Sequence, residues 1–286
     1  MKLTKSNRRQ SKIKMALQGP SGSGKTYSSL LIAKGLTSGD FSKVAVIDSE
    51  NGSSNLYSHL GDYYVVKLEG YSPEEYIKAI ELCEREGIEV IIIDSITQAW
   101  EFLLNFHSSL SGNSFTNWNK ITPRQKSFME KILSSSSHII ATMRTKQDYV
   151  LQQKDGKFIP EKVGLKAVQR DGVEYEFTII LDLNIKHFAN SSKDRTGLFM
   201  DKPEFVITSG VGRKIKEWCN SGVDLDQMIK RIHKCSTHQE LNSLYSELSD
   251  HNADLNKYFA EQQNLIQTNQ IINIKNTSKN GISNTK

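Results

Sequence analysis

The eight residues Gly19-Pro20-Ser21-Gly22-Ser23-Gly24-Lys25-Thr26 constrain this chain more than any others. They satisfy G-x-x-x-x-G-K-[S/T], and they stand between the apolar run Ile13–Gln18 and a helical pattern from Lys25 to about Leu36. Glycines let the backbone curl until successive N–H groups and a helix N-terminus face one anion. In that arrangement Lys25 would set its ammonium on the β- and γ-phosphates of a nucleotide, and the Thr26 hydroxyl would ligate Mg²⁺. All eight residues, with Tyr27 behind them, are therefore candidate nucleotide contacts.

A strand, a loop and a helix in this order begin a βαβ unit, and the rest of the first half continues the pattern. Val44–Asp48, Tyr63–Leu68, Val90–Asp94 and His138–Thr142 read as strands. Ser72-Pro73-Glu74-Glu75 is a helix start: an N-cap, proline at the first position and acids in the first turn, with the helix running to about Arg85. Thr122-Pro123 opens another helix to about Leu133. The alternation predicts an α/β fold with a doubly wound, mainly parallel sheet. After Thr142 the pattern changes. Tyr149–Gln153 and Lys157–Pro160 flank Lys154-Asp155-Gly156, which is hairpin chemistry. Thr178–Leu183, Ile185–Asn190 and Gly197–Met200 predict an antiparallel edge. Leu225, Met228, Ile229 and Ile232, then Leu241, Leu244 and Leu248, return to helical spacing. The expected organisation is a basic arm over 1–11, an α/β core over 12–220, a small helical appendage over 221–265 and a disordered Asn/Thr/Lys-rich tail over 266–286.

Composition excludes several classes. No apolar run approaches the roughly 20 residues that span a bilayer, and the basic start is not followed by a signal-peptide core. Cys83, Cys219 and Cys235 are odd in number and far apart, so neither a disulfide framework nor a zinc ribbon is indicated. A cytoplasmic protein without a membrane partner is expected. The net charge of +5 is unevenly spread: Lys2, Lys5, Arg8, Arg9, Lys12 and Lys14 crowd the start, and the segment from Arg144 to Arg170 carries Lys146, Lys154, Lys157, Lys162 and Lys166. Such patches suit a polyanion, because neutralising phosphates releases counterions.

A phosphate loop needs an acid on a nearby strand to hold magnesium through water, and Asp94, closing the run Val90–Asp94, supplies it. Asp94 is followed by Ser95 and not by a glutamate, so any water-activating carboxylate must come from elsewhere.

The stretches GPSGSGKT, VIDSE and IIIDS, in that order, resemble the RecA-like P-loop ATPases. The resemblance implies a RecA-like core over roughly residues 11–205, with ATP and Mg²⁺ as its ligands. It makes Glu50 the group that orients the attacking water and leaves Asp48 a supporting role. A sensor is implied at the end of the His138–Thr142 strand, where Thr142 or Arg144 stands in place of the usual glutamine or asparagine. Ser192-Lys193-Asp194-Arg195-Thr196-Gly197 is similar to the K-x-R-x-G stretch that hexameric members extend into a neighbouring subunit, which implies a homo-oligomer with Lys193 and Arg195 acting in trans. The layout is similar to ATPases of phages and mobile elements, several of them single-strand DNA-binding or annealing proteins. In that setting DNA would meet loops at 105–120, with Phe115 and Trp118, and at 144–170, with Tyr149, Phe158, Lys154, Lys157, Lys162, Lys166 and Arg170. The implied function is ATP hydrolysis on single-stranded DNA in recombination or replication. Two alternatives stay open: a P-loop nucleotide or small-molecule kinase, and a nucleotide-gated interaction module with little turnover.

Overall fold

The computed structural model describes residues 10–154, 157–222, 224–248 and 252–280, with 148–154, 157–164, 252–254 and 270–280 described by their backbone alone. The chain divides into two units, one over Lys12–Cys219 and one that holds the residues from Asn220 on with Gln10 and Ser11.

The first unit is built on one mixed sheet. In chain order its elements are β1 (Lys14–Gly19), α1 (Lys25–Leu36), β2 (Val44–Asp48), β3 (Tyr64–Lys67), α2 (Pro73–Arg85), β4 (Val90–Asp94), α3 (Thr97–Ser109), α4 (Ser114–Ser134), β5 (His138–Lys154), β6 (Lys157–Ala167), β7 (Ile179–Leu183), β8 (Phe188–Asp194), β9 (Phe205–Val206) and α5 (Ser209–Asn220). The strands lie in the order β3-β2-β4-β5-β1-β7-β8-β9, with β6 paired to β5 outside that row. The pairs from β3 to β7 are parallel, and those joining β7, β8 and β9 are antiparallel. The fold is therefore the α/β class that the βαβ rhythm predicts.

Strand alternation divides the core. Met15, Leu17, Val44, Val46, Val90, Ile92 and Ile140 face α1 and α5 on one side. Ala16, Ala45, Ile47, Ile91, Ile93, Ile139 and Ala141 face α2 and α4 on the other. Burial on both faces is why these strands read as unbroken apolar runs. On the first side α1 and α5 touch through glycines. A Cβ on Gly35 would lie 2.1 Å from the Ser209 carbonyl oxygen, and one on Gly212 would lie 2.0 Å from that of Ile32. Only glycine allows the two helices that approach.

The amino edge of the sheet holds a buried pair of bases. The Ile13 N–H donates to His138 Nδ1 at 3.0 Å, and Lys14 Nζ donates to the Ser135 carbonyl at 2.7 Å and to that of Ser137. Burial, reinforced by Lys12, Lys14 and Lys216, pushes His138 down to about 3. An imidazole that accepts a backbone hydrogen bond must stay neutral there, whereas in the unfolded chain it titrates near its ordinary value. Its contribution is complete above about pH 6.5 and is lost as pH falls from there toward 3, amounting to roughly 2 kcal/mol at pH 5. Chemical denaturation at pH 7.5 and pH 5 should therefore show a smaller acid loss in His138→Asn, whose amide oxygen still accepts the bond. Equal losses in both proteins would exclude His138 as the cause.

Several expectations need correction. Residues 105–120 are not an open loop: α3 runs to Ser109 and α4 starts at Ser114, carrying Pro123 inside it. Asn113 caps α4 by accepting the Phe115 N–H at 2.8 Å, and Trp100, Trp118, Phe102 and Phe106 pack the two helices together. The strand expected to stop at Thr142 continues to Lys154 and pairs with β6 from Thr145↔Ala167 to Lys154↔Lys157. The Asp155-Gly156 turn lies outside the described residues, as do residues 1–9 of the basic arm. At the antiparallel edge the strand begins at Phe188 and not Ile185, because Asn184–His187 form the turn. Residues 197–200 are a bend held by Asp194, which accepts the N–H groups of Phe199 and Met200.

In the second unit α6 (Leu225–Lys234), α7 (His238–Glu247) and α8 (Asn252–Asn280) gather Ile232, Leu241, Leu244, Leu248, Leu255, Phe259 and Ile266 into a core of their own. Thr237 and Glu240 close a capping box at the start of α7. The tail expected to be disordered from residue 266 is helical to Asn280, and Ile266 is one of the buried anchors of α8.

Candidate nucleotide site

β1, β2 and β4 end at one edge of the sheet, where β5 runs on past Arg144 into its pairing with β6, and the site is built from the loops and side chains at that edge. Gly19 closes β1, and the loop reaches α1 through Gly24, whose φ of +84° is the left-handed region that favours glycine. A Cβ at Gly19 would lie 2.5 Å from the Leu183 carbonyl oxygen and 2.7 Å from Ser23 Oγ. Among the described residues, buried Ser23 Oγ has no hydrogen-bond partner. An orphaned hydroxyl inside a loop of this shape fits a cradle for phosphate oxygens. Lys25 curls back over the loop, donating to the carbonyls of Gly19 and Pro20 at 2.9 Å each. Burial holds its pKa below the ordinary lysine value, with Asp94 and Glu50 pulling it back up. Tyr27, in the first turn of α1, is exposed, with its ring centroid 5.8 Å from that of Tyr57.

Asp94 ends β4 almost wholly buried, and each of its carboxylate oxygens accepts a hydroxyl. Thr26 donates to Oδ2 and Thr142 to Oδ1, both at 2.5 Å. Burial raises the Asp94 pKa against those two bonds. β5 lies between β1 and β4, which is how Thr142 comes to touch the acid. A hydroxyl and a carboxylate are the oxygen donors a magnesium ion takes, with phosphates and water completing its shell. The Thr26–Asp94 pair fits that ion.

The two acids after β2 have separate roles. Asp48 is buried and accepts the N–H groups of Glu50, Gly52 and Ser54 at 2.8, 3.2 and 3.0 Å, with the Ser54 hydroxyl at 2.5 Å. It is the clasp of the turn. Glu50 stands above that clasp at the sheet edge. Its Oε1 accepts from Arg144 Nε at 3.0 Å, Gln98 Nε2 at 2.9 Å and Ser95 Oγ at 3.2 Å, and its Oε2 accepts from Arg144 Nη2 at 2.5 Å. Burial pushes Glu50 upward, but the bonds from Arg144 and Gln98 outweigh it and hold the carboxyl below the usual glutamate range. Ser49 fastens this corner to β4, since its hydroxyl both accepts the Ser95 N–H at 2.8 Å and donates to the Ser95 carbonyl at 3.0 Å.

Lys193 and Arg195 lie elsewhere. Arg195 sits opposite Thr178, four residues before the Asp182 that pairs with Gln18, so it is about 13 Å along the strand direction from the phosphate loop. Lys193 Nζ donates to the Glu174 carbonyl at 2.6 Å and Arg195 Nη2 to the Tyr175 carbonyl at 2.8 Å. Both therefore bond to the Glu174–Tyr175 turn and not to the residues of the phosphate loop.

The expected DNA contacts are less uniform. Trp118 is not a free platform, because its ring is stacked on His107 (4.4 Å) and on Trp100 (6.1 Å). Phe115, by contrast, is 85% exposed. Lys154, Lys157 and Lys162 belong to the β5–β6 ribbon, described there by backbone alone. Lys166 is paired with Asp171 at 2.7 Å, and Arg170 follows the ribbon.

Sequence reasoning missed Gln98, Ser95 and His187. His187, at the β7–β8 turn, brings Nδ1 to 3.2 Å from the Ser23 carbonyl and so flanks the loop from a residue more than 160 positions away. No local pattern marks it. Among the described residues no group of three or more His, Cys, Asp or Glu gathers around a common point, and no helix is long and apolar enough to cross a membrane.

A family model described as an AAA domain matches residues 11–238, most of the chain. No curated protein matches it.

Proposed function

We propose that this chain, which belongs to the AAA-domain family of ATP-binding P-loop proteins, works as an oligomeric RecA-like ATPase on single-stranded DNA, in the recombination or replication of a phage or mobile element. The observation that carries this reading is the position of Glu50. It comes from the end of β2, beside the Asp94 corner, and shares the Ser95 hydroxyl with Gln98. A carboxylate at that edge can align an in-line water and accept its proton. Lys25 would neutralise the β- and γ-phosphates, while Thr26 and Asp94 would hold a magnesium ion that offsets their charge. Lys193 and Arg195, held on the far edge, would serve a neighbouring copy and not this one.

DNA as the polyanion is supported by the ribbon. It projects from the same edge, carries Lys146, Lys154, Lys157, Lys162 and Lys166 in its sequence, and is followed by Arg170. The kinase alternative has less to draw on, because no arginine falls between Arg144 and Arg170 to close over an acceptor. Binding of a fluorescent oligothymidylate measured across salt concentrations is the direct test. Neutralising Lys162, Lys166 and Arg170 together should weaken binding and flatten the log–log salt slope by about 0.7 for each phosphate no longer neutralised. An unchanged slope removes the ribbon from the DNA path.

A further inference from the structure

We propose that Arg144 is a positioning residue that holds Glu50 in a resting state, and that a strand of nucleic acid engaging the β5–β6 ribbon releases it. The inference rests on reading Glu50 as the water-aligning group. It begins with one continuous strand. Within β5, Thr142 donates to Asp94, Arg144 donates twice to Glu50, and Thr145 opens the ribbon by pairing with Ala167. Three adjacent functions thus succeed one another along a single backbone, and displacement of one is felt by the next.

The return strand is fastened to the same corner. The Val168 N–H donates to the Arg144 carbonyl at 2.8 Å, the Arg144 N–H donates to Thr97 Oγ1 at 3.0 Å, and buried Gln169 donates through Nε2 to the Ile96 carbonyl at 2.7 Å. Both roots of the ribbon therefore grip residues 96–97, just past Asp94. A load on the ribbon has a short, hydrogen-bonded route to the place where Arg144 meets Glu50.

The pair itself has the character of a latch. Three donors crowd Oε1, one of them the Ser95 hydroxyl that Gln98 also takes, and Arg144 Nη2 holds Oε2, so Glu50 rests as a stabilised carboxylate that accepts a proton from water less readily. Arg144 supplies the two donors that come from outside the corner, the others being its near neighbours Ser95 and Gln98. The Arg144 side chain is 45% exposed, against 24% for Glu50, so another anion can reach the guanidinium from solvent and exchange with the carboxylate. A phosphate on the ribbon would compete for the same guanidinium, since planar, bidentate recognition serves carboxylate and phosphate alike. A ligand that binds the released arrangement better than the latched one shifts the population toward turnover.

Steady-state ATP hydrolysis by the full chain, with and without oligothymidylate, tests this in the wild type, Arg144→Gln, Arg144→Lys and Glu50→Gln. Arg144→Gln should raise the DNA-free kcat about fivefold or more, leave KM for ATP in place and bring the DNA stimulation ratio toward one. Arg144→Lys, which keeps the charge but not the fork, should fall between. If Arg144→Gln lowers DNA-free turnover, or leaves both that rate and the stimulation ratio as in the wild type, the latch is wrong while the reading of Glu50 stands. A wild type that DNA does not stimulate overturns the coupling to the ribbon. A Glu50→Gln variant that turns over normally overturns the reading of Glu50 and the latch with it.

Discussion

Replacing Glu50 with glutamine is expected to preserve ATP binding while lowering turnover roughly 10²–10⁴-fold, the range over which a positioned general base contributes. The substitution keeps the shape of the side chain and its ability to accept from Gln98 and Ser95, but removes the carboxylate that would take the proton of an attacking water. It also unpairs Arg144. Because that arginine is half exposed, the stability cost should stay within about 1 kcal/mol, so loss of activity would not reflect unfolding. Binding of a fluorescent ATP analogue and phosphate release, measured on the same preparation, separate the two effects. Undiminished phosphate release would move the base elsewhere, whereas negligible release from the wild type itself would favour the interaction module. Phosphate appearing on a small acceptor without DNA would favour the kinase.

The second large effect concerns the cations at the opposite edge. Arg195→Ala, and more so the double variant with Lys193→Ala, should reduce turnover about 10³–10⁵-fold, as loss of an arginine finger does. The folded unit should be intact, since Arg195 is exposed, Lys193 is half-buried, and their side chains bond to the backbone carbonyls of Tyr175 and Glu174. Their distance from this chain's own loop makes a sharper experiment possible. Mixing Arg195→Ala with Glu50→Gln should restore part of the activity, because at half of the mixed junctions an intact Glu50 meets an intact Arg195 from the neighbour. No rescue in a mixture that assembles, or full activity in a protein that stays monomeric with ATP and DNA, would rule out action in trans.

The parts of this molecule that could be read in advance are those with a local physical signature. The phosphate loop needs its glycines and its flanking strand and helix in sequence order, and Ser72-Pro73 announces α2 with its cap, accepting the Glu75 N–H. Val90–Asp94 reads as a buried strand because both its faces are covered. The features that escaped depend on distant contacts or on tertiary packing overriding composition. The Ser/Asn-rich stretch before Thr122 looks like a loop, yet Phe102, Phe106, Trp100 and Trp118 give it enough to bury to form two helices. The strand after His138 carries on past its last apolar residue because β6 pairs with it. Thr26, Glu50 and Asp94 stand in motifs that mark them as candidates, but the side chains that bond to them have no such mark. Which of Thr142 and Arg144 is the sensor is open in the sequence, and in the fold Thr142 bonds to Asp94 while Arg144 bonds to Glu50. His187 and Gln98 have no motif at all.

The order of the sheet has one further consequence, for how the protein is made. Thr26 follows β1 and Asp94 ends β4, strands that are not neighbours, and the strand that joins them is synthesised after both, pairing with β1 across some 125 residues. A nascent chain that ends before His138 carries the whole phosphate loop, Glu50 and Asp94, and still has no site, because nothing holds β1 beside β4. Pairings of such separation are the slow ones to form. A nucleotide that binds only the closed sheet adds its binding free energy to the stability of that late-formed arrangement.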